Sequence, residues 1–123
     1  MANETVTTSP RFISAKRTAV EDLGDGIRRQ ILGYDRNLMA VRVWFEKGAV
    51  GTQHKHHHSQ TSYVESGRFL VTIEGEEAEL GPGDGFFVAP QEMHGAICLD
   101  EGVLLDMFSP MRADFLELEE PQS

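Results

Sequence analysis

The stretch HKHHHSQ, residues 54–60, holds four of the chain's five histidines, and the fifth is His94. Imidazole is a common ligand for transition metals, which it binds through a neutral ring nitrogen. His54 and His56 are two apart, so on a strand both point to the same face. Gln60 can add a carbonyl oxygen. His94 follows the apolar run GFFVAP, and an antiparallel chain could return it to the same spot. Imidazoles converging with such an oxygen make a good site for a divalent transition ion. His58 shares the strand parity of His54 and His56, so His56 and His58 are an alternative ligand pair; otherwise His58 is expected at the pocket rim. Lys55 and His57 are expected to point into solvent. The competing reading of the whole run is a solvated loop rich in imidazole.

A second stretch, GVLLDMFSPMRADFL at 102–116, carries different chemistry. On a strand, Leu104, Asp106 and Phe108 share one face, and Val103, Leu105 and Met107 take the other. A carboxylate in so apolar a run is costly to bury unless it is paired or functional. Arg112 follows beyond a Ser109-Pro110 turn. Asp106 and Arg112 could form an ion pair that ties down the C-terminal tail. Alternatively, Asp106 moves protons while Arg112 grips an anionic ligand.

Short strands must position these groups. MAVRVWF puts Val41, Val43 and Phe45 on one face and Arg42 and Trp44 on the other, and RFLVTIE does the same with Phe69, Val71 and Ile73. These period-two patterns indicate half-buried strands. Further strands are expected at 27–33, 61–65, 77–80, 94–98 and 103–108, with FFVA following the tight turn GPGDG at 81–85. Glu74-Gly75-Glu76 reads as a hairpin turn. ADFLELEE near the end suits one short helix with Phe115, Leu116 and Leu118 packing down. Many short strands and almost no helix point to an all-β fold, a single small antiparallel barrel or sandwich. Residues 1–10 read as a flexible arm and 11–123 as one domain.

Composition narrows the function. A chain of 123 residues suits one domain with a real core. The net charge of −9, with no basic cluster beyond Arg28-Arg29, argues against nucleic acid. No apolar run approaches the ~18 residues of a membrane span, so no membrane partner is expected. The start MANETVTTSP lacks the apolar core of a signal peptide, and the lone Cys98 forms no internal disulfide, which favours a reducing cytoplasm. Cys98 and Trp44 read as packing residues, Trp44 otherwise as pocket wall.

The histidine pattern resembles a known superfamily. Gly48-x5-His54-x-His56-x3-Gln60-x6-Gly67 matches the first cupin motif in spacing, with Gln60 where cupins usually carry Glu. Gly83-Asp84, Pro90 and His94 resemble the second motif, with Pro90 one place late. The motifs span 48–67 and 83–94. The resemblance implies a jelly-roll β-barrel with one divalent transition metal ion per chain, nickel, zinc, manganese or iron, held by His54, His56, Gln60 and His94. With Gln60 all four ligands are neutral, so the ion keeps its full +2 charge, which attracts anions and acidifies bound hydroxyls.

Asp-x-Phe-Ser-Pro-x-Arg-x-Asp-Phe at 106–115 narrows the resemblance to the pectin-degradation cupins, which linearise 4,5-unsaturated uronates. It implies an isomerase-type enzyme acting on a small anionic sugar, with Asp106 as the acid/base, Phe108 against the sugar and Arg112 on its carboxylate. The short loop between His94 and Asp106 departs from that pattern. A metal-dependent cupin oxygenase and a non-catalytic sugar- or acid-binding cupin are the alternatives. Cupins of this size suggest a homodimer.

Overall fold

The computed structural model describes residues 7–118. The strands are β1 (Val20–Gly24), β2 (Ile27–Asp35), β3 (Leu38–Phe45), β4 (Val50–His54), β5 (Ser59–Ile73), β6 (Glu76–Leu80), β7 (Gly85–Val88) and β8 (His94–Ser109). Local chemistry sets several boundaries. Asp25-Gly26 joins β1 to β2, and Glu74-Gly75 joins β5 to β6, each pair with positive φ at both positions. That geometry matches the right-handed twist of the strands it connects.

Alternation along β3 behaves as expected: Met39, Val41, Val43 and Phe45 are buried, while Ala40, Arg42 and Trp44 are less so. Phe69 and Val71 of β5 are buried on the same principle. Every ladder is antiparallel, and the hydrogen-bonded path runs β1-β2-β3-β8-β5-β6, with β4 on β8 and β7 on β5. This is the all-β jelly-roll architecture expected, although the ladder stays open between β1 and β6 instead of closing into a barrel.

β5 and β8 organise the whole. Stretches expected as separate strands, 61–65 with 68–74 and 94–98 with 103–108, are each one long strand. The pairing register shifts between Val64 and Phe69, so both strands bend without ending. Gly67 sits at this bend with φ of 82°, and a Cβ there would lie 2.5 Å from the Glu101 carbonyl oxygen. Only glycine fits. The first half of β5 and second half of β8 join β3 and β7. The other halves join β4 and β6. Phe45 and Phe69 meet edge to face at 5.2 Å between these limbs, within the core that also holds Met39, Val41, Leu104 and Cys98. Cys98 is thus a core residue; Trp44 lies on the opposite face of β3 from the core.

The expected helix shrinks to one 3-10 turn, Ala113–Leu116, ended by Glu117 in the left-handed conformation. Phe115, Leu116 and Leu118 pack against the core as expected, while Glu119 and Glu120 lie outside the described residues. So do residues 1–6 of the arm; Ser9 is bound to β2, donating its N–H to the Tyr34 carbonyl and accepting from the Tyr34 N–H at its hydroxyl. No helix among the described residues is long and apolar enough to cross a membrane.

Candidate metal centre and active site

His54 ends β4, His94 begins β8, and the two are cross-strand partners. Their rings lie 4.4 Å apart. His56 follows the end of β4, so strand parity does not orient it; the loop does. Its ring lies 5.4 Å from His54 and 4.9 Å from His94. One ring nitrogen of each of the three lies within 4.8 Å of the others.

The main chain sets which nitrogen is available. His54 Nδ1 is 2.9 Å from the Thr52 carbonyl, His56 Nδ1 is 3.2 Å from that of His58, and His94 Nδ1 is 2.9 Å from that of Glu92. A carbonyl oxygen only accepts, so each Nδ1 carries a proton, and in the neutral ring Nε2 is the nitrogen with the lone pair. His94 Nε2 is buried with no hydrogen-bond partner among the described residues. His56 Nε2 faces Gln60 Oε1 at 3.0 Å, which sets two lone pairs against each other unless a cation lies between them. Burial pushes the His56 imidazole down to about 4, helped by the Arg112 charge, and burial likewise lowers His94. Neutral imidazoles with free lone pairs, beside an amide oxygen, fit a divalent transition ion.

His58 is outside this trio and is not at a rim: it is buried, with its ring 5.1 Å from that of His56. His57 does not point freely into solvent, since it is half-buried with its ring 4.0 Å from that of His58. Two adjacent imidazoles pack on each other in a loop too tight to splay both outward. Lys55 is exposed as expected.

The second stretch converges on the same place. Leu104, Asp106 and Phe108 share the inward face of β8 and line a cavity of about 240 Å³ with His54, Gln60, His94 and Arg112. That is below the ~300–1,000 Å³ of drug-sized sites and suits a single small molecule. Burial pushes the Asp106 carboxyl up to about 6, against the opposing effects of a Ser62 hydrogen bond and the Arg112 charge. The Phe108 ring neighbours both groups, 5.8 Å from the His56 ring and 5.1 Å from the Arg112 guanidinium carbon.

The alternative ion pair does not form: among the described residues no salt bridge joins Asp106 to Arg112. Arg112 pairs instead with Asp114, Nε and Nη2 each donating to one carboxylate oxygen at 3.1 and 3.0 Å.

Four residues escaped the sequence reading as site residues. Ser62 bridges Gln60 and Asp106. Phe115 carries Arg112 on its ring at 4.3 Å and Arg29 at 3.9 Å, and both Phe115 and Arg29 line the cavity. Asp114 occupies the Arg112 fork. Strand parity with Gln60 could have flagged Ser62, and Asp114 and Phe115 stand in the motif at 106–115 without a role assigned, but nothing in a lone arginine could have flagged Arg29. The cavity can hold an anion beside a cation site, with two guanidiniums and one carboxylate to bind it and move protons.

Comparison with known proteins agrees with this geometry. A cupin domain is matched over residues 41–108. The chain is 51% identical over 108 residues to the pectin degradation protein KdgF of Dickeya dadantii, covering 86% of this chain and 98% of that one. The structure of KdgF from a Halomonas species superposes with a TM-score of 0.83 at 41% identity, over 87% of this chain and 99% of that one. An RmlC-like cupin from Shewanella frigidimarina gives 0.87 at 49% identity, over 89% and 98%.

Proposed function

The chain belongs to the cupin domain family, and from that membership we propose that it converts 4,5-unsaturated uronate monosaccharides, of the kind lyases release from pectin or alginate, to their open-chain keto form. The observation that carries the reading is the shared cavity: His54, His94 and Gln60 line it together with Asp106, Phe108 and Arg112, and His56, the third clustered imidazole, lies 5.8 Å from the Phe108 ring. The likeness to pectin degradation proteins supports the substrate class.

The metal ligands in this reading are His54, His56, Gln60 and His94, holding one nickel, zinc, manganese or iron ion. Bound there, the ion supplies a Lewis acid for sugar oxygens. The remaining work belongs to the protein. Arg112 turns its fork from Asp114 to the substrate carboxylate, a bidentate pair that fixes the ring's direction. Phe108 gives the ring an apolar wall. Asp106 accepts the proton of the anomeric hydroxyl, the ring C–O bond breaks, and an aldehyde and an enolate remain. Asp106 then returns the proton to the vinylic carbon, and the enolate becomes a ketone. Atoms balance and no redox change occurs. A carboxyl held at about 6 can both take and give a proton near neutrality.

We place the reaction in the cytoplasm, where the free Cys98 is at home. A homodimer is supported by Leu38, Tyr63 and Phe87, all about half exposed or more on β3, β5 and β7. Sedimentation at micromolar concentration tests that part.

The function is tested by mixing the zinc-loaded protein with an unsaturated monouronate under strict anaerobiosis. Loss of the substrate's ultraviolet absorbance is expected. Turnover only with iron and oxygen would make the chain an oxygenase, and ligand-induced stabilisation without turnover would make it a binder.

A further inference from the structure

Ser62 is fully buried, and the mechanism above gives it no task. It lies on β5 between two working groups: Gln60, two residues earlier, and Asp106, its cross-strand partner on β8. Gln60 Nε2 donates to Ser62 Oγ at 2.9 Å, and Ser62 Oγ donates to Asp106 Oδ1 at 2.6 Å. An ionised carboxylate has no proton to give, so the serine hydrogen points at Asp106 and its lone pairs are left for an N–H. Only the nitrogen end of the Gln60 amide meets that demand. The oxygen end is therefore turned to His56 Nε2, 3.0 Å away.

We infer that Ser62 is a positioning residue: through its hydroxyl, the Asp106 carboxylate selects which end of the Gln60 amide faces the histidines. An amide needs such selection. Its two ends are nearly alike in shape, yet one accepts and the other only donates. A flipped Gln60 would turn an NH2 toward the imidazoles and offer a cation nothing. A carboxylate in its place would present oxygen either way and would not need the serine. The inference rests on the reading of Gln60 as a ligand.

The test measures zinc affinity of the metal-free full chain by competition with a chromophoric chelator. Wild type is compared with Gln60→Ala, Ser62→Ala, Gln60→Glu and the double variant Gln60→Glu/Ser62→Ala. Ser62→Ala should weaken zinc binding ~10-fold or more, as loss of an outer-shell partner does. In the Gln60→Glu background the same change should leave affinity nearly unaltered. Equal losses in both backgrounds, or wild-type affinity in Ser62→Ala, overturn the positioning role. If Gln60→Ala itself binds zinc like wild type, the ligand reading fails instead. Should Ser62→Ala not fold, the wild-type protein still decides by NMR. The Gln60 side-chain amide should exchange with solvent far more slowly than those of the exposed Gln53 and Gln91, and equal rates overturn the inference.

Discussion

The histidine group and the arginine group of the cavity are held by different means. Each histidine is oriented by a backbone carbonyl, from Thr52, His58 or Glu92, and so by the strand and loop geometry itself. Arg112 is oriented by side chains alone: the faces of Phe108 and Phe115 and the exposed carboxylate of Asp114. The first arrangement suits ligands that must not move. The second suits a group that must exchange one anion for another. Asp106 belongs to neither, being half-buried and held by one hydroxyl.

That contrast can be broken most sharply at Asp106. Asp106→Asn is nearly isosteric, so the histidine group should keep its metal while kcat falls by ~10²–10⁴, the usual share of positioned acid–base catalysis. Metal content and kcat measured on one preparation check this, and wild-type turnover in a metal-loaded variant would remove Asp106 from the chemistry. The same variant has a pH signature. Burial holds Asp106 at about 6, above the ordinary 3.8, so in the absence of metal the folded protein keeps a proton that the unfolded chain releases. The stability carried by protonated Asp106 is full below about pH 4 and is lost as pH rises through about 6. Metal-free Asp106→Asn should therefore match the parent in melting temperature near pH 4 and exceed it at pH 8.

Removing Arg112 should act on binding more than on chemistry. Arg112→Ala should raise KM by ~10–100-fold, the worth of a hydrogen-bonded charge pair at 1.5–3 kcal/mol, and leave metal content unchanged. A variant that loses metal instead would show that the two groups are one structural unit.

The smallest effect sharpens the comparison. Asp114 competes with substrate for the Arg112 fork, and its side chain is 48% exposed. Exposed ion pairs are worth ~0.2–1 kcal/mol, so Asp114→Asn should lower KM by at most about 5-fold without altering kcat. A raised KM would mean that Asp114 presents Arg112 to the substrate instead of occupying it.

How much of this was legible in the sequence follows the same division. Period-two alternation located β3 and the inward face of β8, because burial on one face of a strand leaves a pattern of two. Histidine type and spacing brought His54, His56, Gln60 and His94 into one group, although His56 reaches the group through a loop and not through strand parity. The continuity of β5 and β8 was hidden, since the expected strands stopped at 65 and 98 and resumed at 68 and 103, on either side of the bend at Gly67. β1 and β4 were missed outright: VEDLG and VGTQH bury little and so alternate little. Ser62, Arg29, Asp114 and Phe115 depend on which strands become neighbours, and a single chain of letters does not state that.

β4 has one further consequence. Among the described residues it pairs with β8 alone, and its last residue and that strand's first are His54 and His94. A cation shared by these imidazoles and His56 would therefore rivet a one-sided strand and its outgoing loop to the longest strand of the molecule. Metal loading would then register as backbone protection, with amide exchange and protease cutting around residues 50–58 slowed while the rest of the sheet stays as it was.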